Sequence, residues 1–203
     1  MYRIAEEYVR TMEIEKSRFI TYTKKVFSEE DAKAYLQSIR KEHPNATHHC
    51  YAFVIGPNHE QQRSNDDGEP SGTAGVPMLE ALRLSGIHDC IVVTVRYFGG
   101  VKLGAGGLVR AYSSSVSLCL QEAPKVVLCE MLEYTISFGY EWINKIDYLL
   151  QSKNAIILSK DYEINVTYKF ALSDDSIEKQ LRELSSGTLQ VPAPIKTIIE
   201  KPL

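Results

Sequence analysis

The chain has 203 residues, with 23 Lys+Arg against 26 Asp+Glu, 44% hydrophobic and 9% aromatic residues. That length admits one domain or two small ones, since domains commonly run about 100–150 residues, and the composition excludes a disordered chain, a collagen or a coiled coil. A net charge of −3 argues against a protein that coats nucleic acid through bulk charge, so any nucleic-acid role must be local.

The longest apolar runs, such as Cys90–Val95, fall far short of the roughly 20 residues a membrane span needs, so no membrane association is expected. Charges within residues 1–10 occupy the place of a signal peptide's apolar stretch, which predicts a cytoplasmic protein. Four cysteines (Cys50, Cys90, Cys119, Cys129) lie far apart with no CxxC pair and read as reduced, buried thiols.

In chain order, Tyr2–Val9 and Phe19–Phe27 are strand candidates, the second by its alternation. Ser28 caps a helix in which Ala32, Tyr35, Leu36 and Ile39 recur at helical spacing, and Pro44 stops it near His43. His48–Ile55 is a strand apolar on both faces, hence central in its sheet. Gly56–Gly75 is polar, rich in breakers and too long for an ordinary turn. Pro77 opens a helix that Gly86 closes. Cys90–Phe98 reads as a fully buried strand, and Gly99–Gly107 as a glycine-rich turn into a helix from Gly107 to Glu122.

The pattern restarts near Ala123–Pro124, which places one domain at 1–123 and another at 126–203. Acids and bases balance up to Lys125, so the second domain carries the net −3. It reads as strand Val126–Phe138, helix Glu141–Lys153, hairpin Ala155–Lys160 and Tyr162–Phe170, helix Asp174–Ser185 and strand Ile195–Glu200. Alternation in the second hairpin strand places Tyr162, Ile164, Val166, Tyr168 and Phe170 on one face and Glu163, Asn165, Thr167 and Lys169 on the other. The order βαββαβ is that of a ferredoxin-like domain, so the fold class is α+β.

Two loops are chemically unusual. Ser64–Gly75 packs Asp66, Asp67 and Glu69 among glycines and hydroxyls, a set that would hold a hard cation or supply an acid–base pair. The same residues are what a solvated turn prefers. Arg96–Arg110 runs from the end of a buried strand through Gly99, Gly100, Lys102, Gly104, Gly106 and Gly107 into a helix. Glycines let backbone N–H groups approach a ligand, and a helix N-terminus carries about half a positive charge. With Arg96, Lys102 and Arg110 beside it, and Ser71 and Thr73 as further donors, this is a candidate phosphate cradle. It lacks both GxxxxGK[ST] and GxGxxG with its acidic partner, and tight helix–sheet packing would ask for the same glycines. Tyr97 and Phe98 would stack bases or simply belong to the core. His48 and His49 are adjacent in a strand and face opposite ways, with His48 the one expected toward the loops.

The blocks His48–Ala52, Ser64–Gly75 and Val93–Tyr112, ungapped and in this order, resemble the IMPACT/YigZ family. The resemblance covers most of 1–123, and the rest of the chain looks like the small C-terminal domain of bacterial members. It implies that the first domain is similar to the second domain of ribosomal protein S5 and to domain IV of elongation factor G, and the second to that factor's ferredoxin-like domain V. Eukaryotic relatives regulate translation by restraining activation of a stress kinase through a partner-binding RWD domain. This sequence shows no counterpart of that domain, so the role is not carried over. Many relatives have Lys or Arg where Val76 stands here, which removes one phosphate contact.

The leading expectation is a non-enzymatic, translation-associated protein that binds RNA or the ribosome through the Arg96–Arg110 cradle, with no cofactor. The alternatives are an enzyme acting on a small phosphorylated or nucleotide substrate, with Asp66, Asp67, Glu69 or His48 as base or Mg²⁺ ligand, and a protein-binding regulator that uses edges of the second domain. Proximity of Asp66 or Asp67 to Lys102 would put both loops in one pocket.

Overall fold

The computed structural model describes residues 1–203. The chain separates into two compact units, residues 1–127 with 201–203, and residues 128–200.

The first unit contains β1 (Tyr2–Ile4), β2 (Tyr8–Ile14), β3 (Ser17–Lys25), α1 (Glu29–Glu42), β4 (His48–Ile55), β5 (Gln61–Asn65), α2 (Gly75–Leu84), β6 (Cys90–Tyr97) and α3 (Gly104–Glu122). Its main sheet has the order β2-β3-β6-β4-β5, every pairing antiparallel. The central strand β6 is buried on both faces because both are apolar, and the strand period of two sorts its residues. Ile91, Val93 and Val95 pack with Ile20, Tyr22 and Phe53 beneath α1. Cys90 and Val92 pack with Phe19, Cys50, Ala52 and Val54 beneath α2 and α3. By the same parity Thr94 and Arg96 fall on the second face, where the Thr21 and Thr94 hydroxyls satisfy each other at 3.0 Å.

The capped helix behaves as its sequence dictates. The Ser28 hydroxyl accepts the Asp31 N–H at 3.0 Å, acids occupy the first turn, and His43 ends α1. Helix α3 lies close on the sheet because its inward face is built from Leu108, Ala111, Tyr112, Ser115 and Cys119.

Three expectations change here. The N-terminal strand is two strands, with β2 and β3 joined by a two-residue turn at Glu15 and Lys16, both at positive φ (46° and 63°). No Asn or Gly announces that turn. The long polar segment contains β5, an edge strand that shows no apolar alternation because both its faces are open. Helix α3 starts at Gly104, three residues ahead of Gly107.

The strand β7 (Lys125–Phe138) starts in the first unit, where Lys125–Val127 pair with β1. The second unit continues with α4 (Ile143–Ser152), β8 (Ile156–Tyr162), β9 (Val166–Leu172), α5 (Ile177–Leu184) and β10 (Ile195–Pro202), the last of which belongs to it as far as Glu200. The order β10-β7-β9-β8 with two helices is the ferredoxin-like arrangement. Its core joins Tyr134, Ile136, Phe138, Val166, Tyr168 and Phe170 to Ile146, Leu150, Ile177 and Leu181 of the helices. Tyr162 and Ile164, read from the sequence as sharing a face with Val166, Tyr168 and Phe170, are exposed instead, because the chain turns over Glu163–Asn165 and the face starts at Val166. The whole is thus an α+β protein, a ribosomal protein S5 domain 2-like unit followed by a ferredoxin-like one. Cys50, Cys90 and Cys119 are buried free thiols, whereas Cys129 is partly exposed.

Candidate functional site

Sheet register builds the site. Arg96 on β6 stands opposite Phe19 on β3 and His48 on β4, so all three project to the α2/α3 face. The Arg96 guanidinium lies 5.4 Å from the Phe19 ring centroid and 5.5 Å from that of Phe98. Its Nη1 donates to Glu69 Oε1 at 2.7 Å and its Nη2 to Ser17 Oγ at 3.3 Å, while Nε is buried with no partner. The Tyr112 hydroxyl of α3 donates to the same Glu69 oxygen at 2.7 Å. His48 Nδ1 donates to the Asp67 carbonyl at 2.8 Å and leaves Nε2 3.7 Å from Glu69 Oε2. The Cys50 thiol lies 3.4 Å from the Tyr112 hydroxyl. Both Glu69 and Arg96 are almost wholly enclosed, with side chains 3% and 6% exposed. Burial and the nearby Cys50 and Glu69 push the Tyr112 hydroxyl upward, and burial raises the Cys50 thiol, so both stay protonated. A buried ion pair persists only if further hydrogen bonds offset desolvation, and here Tyr112 and Ser17 provide them.

The other acids of the first loop hold backbone. Asp66 Oδ2 accepts the Gly72 N–H at 2.9 Å, and Oδ1 accepts those of Ala74 and Gly75 at 3.0 and 2.8 Å, which fastens the loop to the start of α2. Burial would raise the Asp66 carboxyl, but the three N–H bonds outweigh it and hold the group below its ordinary value of 3.8. A carboxyl lowered in the folded state stabilises above its unfolded value, and the benefit disappears as pH falls through the folded value. Urea midpoints should therefore drop more steeply below about pH 4 in the wild type than in Asp66→Asn. Parallel curves would detach Asp66 from acid stability.

Asp67 Oδ1 meets Arg40 Nη2 at 2.7 Å and Oδ2 accepts the His49 N–H at 2.7 Å. The buried Thr73 donates to the Pro70 carbonyl at 2.6 Å, Ser71 is exposed, and Val76 sits exposed on α2. No group of three or more His, Cys, Asp or Glu side chains is assembled around a metal position.

The glycines divide by job. A Cβ on Gly99 would lie 2.0 Å from the Lys16 carbonyl, so this residue lets β6 exit past the β2–β3 turn, and its N–H bonds Ser17 Oγ at 3.2 Å. Gly100 and Gly104 take positive φ (86° and 68°) in open space, as the turn into α3 requires. Gly107 packs on Leu103, and the Arg110 Nη1 lies 3.6 Å from where a Gly106 Cβ would stand. Helix α3 has no side-chain cap at Leu103 and no acid in its first turn, and Gly104, Ala105 and Gly106 are exposed there.

Two cavities flank that first turn. One of about 460 Å³ takes Lys102 and Arg110 with Ile14 and Glu15 of the hairpin. The other, about 330 Å³, is lined by Glu69 and Pro70 of the acidic loop, Arg96 and Phe98 at the end of β6, and Lys102, Leu103 and Gly104. Both loops therefore share one pocket, joined by Glu69; Asp66 and Asp67 do not line it. Tyr112 and Ser17 were absent from the sequence candidates. The inward stripe Leu108, Ala111, Tyr112, Ser115 carried the signal for Tyr112, because a buried tyrosine tip needs a partner.

The profile of the Impact N-terminal domain matches residues 15–120, the segment that holds both loops. The chain is 43% identical over 191 residues to the IMPACT family member YvyE of Bacillus subtilis, across 93% of this chain and 88% of that one. The chain belongs to the IMPACT family. It is also 41% identical over 186 residues to the IMPACT family member YigZ of Escherichia coli, across 89% and 91% of the two chains. Residues 136–188 match a domain of unknown function, DUF1949, within the ferredoxin-like unit of this IMPACT family chain. A crystal structure described as that of an hypothetical protein superposes with a TM-score of 0.62 at 39% identity, covering 95% of this chain and 96% of that one. No helix is long and apolar enough to cross a membrane.

Proposed function

We propose that this IMPACT family protein is a translation-associated regulator that docks on RNA, on its own or within the ribosome, through phosphates at the start of α3. One observation carries the reading. The first turn of α3 is uncapped, its exposed residues are Gly104, Ala105 and Gly106, and exposed Lys102 and Arg110 stand beside it with no carboxylate partner. Unsatisfied N–H groups, a helix dipole and two cations make an anion receptor. Arg96 acts differently from Lys102: its charge is matched by Glu69, so it shapes the receptor's floor. The family resemblance read from the sequence, which implies domains similar to those of elongation factor G, points toward translation, and the surface chemistry supplies the means.

The test is binding of purified protein to ribosomes and to a structured RNA across a salt series. Replacing Lys102 and Arg110 together by alanine should weaken binding to all sequences alike. The double variant should also flatten the slope of log K against log salt by about 2, near 0.9 per lost phosphate contact. Absence of any binding at low salt defeats the proposal.

A further inference from the structure

We infer that the 330 Å³ cavity receives one unstacked nucleotide, its phosphate on Lys102 and the first-turn amides of α3 and its base against Phe98. The inference rests on the phosphate-docking reading above and adds what that reading leaves open, the kind of RNA residue bound.

Three features of the cavity select this occupant. Its volume lies in the range of small-molecule sites, about 300–1,000 Å³. Its walls, Pro70, Phe98, Leu103 and Leu108, are apolar, and Phe98, just past the end of the buried strand β6, is 47% exposed. A half-bare aromatic ring beside a phosphate receptor is the pairing that single-stranded nucleic-acid sites use, one element for the base and one for the backbone. The third feature is the floor. Arg96 is 5% exposed, and its Nε has no hydrogen-bond partner. A charged donor left unbonded inside a protein is uncommon and calls for an acceptor. On its ion-pair partner, Glu69 Oε2 has His48 Nε2 only at 3.7 Å, beyond hydrogen-bond length, and so retains accepting capacity. Arg96, which keeps an unbonded donor, and Glu69, which keeps accepting capacity, both line the slot, a pairing that suits the polar edge of a base, which offers both. In a duplex that edge is already paired and the base face already stacked. Only an unpaired or extruded nucleotide can enter.

The same chemistry is offered by a free mononucleotide and by an unpaired residue of an RNA chain, and the experiment separates them. The full-length protein is titrated with a hairpin RNA carrying unpaired loop nucleotides, with a blunt duplex of equal length, and with AMP, GMP, CMP and UMP. The wild type and Phe98→Ala are compared; Phe98 is half-exposed, so its removal spares the core. The hairpin is expected to bind the wild type roughly tenfold or more tighter than the duplex. Phe98→Ala should erase that preference and leave duplex affinity and its salt slope unchanged. Saturable mononucleotide binding that Phe98→Ala abolishes supports the cavity and assigns it to a free nucleotide. Equal binding of hairpin and duplex, with no mononucleotide bound, overturns the inference while the docking proposal survives. Failure of every probe to bind overturns both.

Discussion

Replacing Arg96 with methionine is expected to destabilise the first unit by about 3–5 kcal/mol, the range for stripping one partner from a buried ion pair. The residue left behind is Glu69, 3% exposed, with only Tyr112 donating to it and His48 nearby. Its charge would stay enclosed with no counter-ion in place of Arg96. Urea unfolding with a fixed m-value reads the loss. The companion variant Arg96→Met with Glu69→Leu should recover most of it, since replacing both members of a buried pair by apolar groups is often neutral. A single variant as stable as the wild type would mean that solvent reaches the pair. A double variant no better than the single one would mean that the packing of Arg96 on Phe19 and Phe98, rather than its charge, holds the region.

Gly99→Ala is expected to cost about 3 kcal/mol, the upper end of the usual overpacking range, because the obstacle is main chain. The added methyl would lie 2.0 Å from the Lys16 carbonyl group and 2.5 Å from the Ser17 nitrogen, so the β2–β3 turn itself must move. That turn already holds two non-glycine residues at positive φ and has little freedom to adjust. Moving it also draws Ser17 Oγ from the Gly99 N–H and from Arg96. Gly100→Ala is the internal comparison. Open space surrounds Gly100, and only its φ of 86° penalises a side chain, so about 1–2 kcal/mol is expected. Amide spectra should report β2–β3 shifts in the Gly99 variant alone. Equal losses at the two positions would contradict the close approach.

Elements with a local cause were legible in the sequence. Ser28 and Pro44 bracket α1, and the unbroken apolar run of β6 could only be a strand buried on both faces. Elements whose cause lies elsewhere in the fold were not. β5 is polar throughout, because an edge strand with two open faces has nothing to alternate, and only its ladder to β4 reveals it. The first turn of α3 is written in glycine, which disfavours a helix, yet the burial of Leu108, Ala111 and Tyr112 carries the helix back to Gly104. At the site, both loops stood out for their chemistry, but spacing along the chain does not reveal which residue of each meets the other. Asp66, Asp67 and Glu69 are equal candidates in the sequence; in the fold the first two fasten backbone and Arg40, and Glu69 joins the glycine loop. Tyr112 and Ser17 reach the pair only through the packing of α3 and the hairpin, which composition does not encode.

The uneven burial of the four cysteines has a practical side. Desolvation pushes the thiols of Cys90 and Cys119 up to about 12 and raises that of Cys50, so near neutrality none of them supplies the thiolate that alkylating reagents attack. Cys129, partly open to solvent, is left as the one address for a maleimide dye. The native sequence thereby comes with a single-fluorophore handle, and its labelling kinetics double as a gauge of whether the interior has opened.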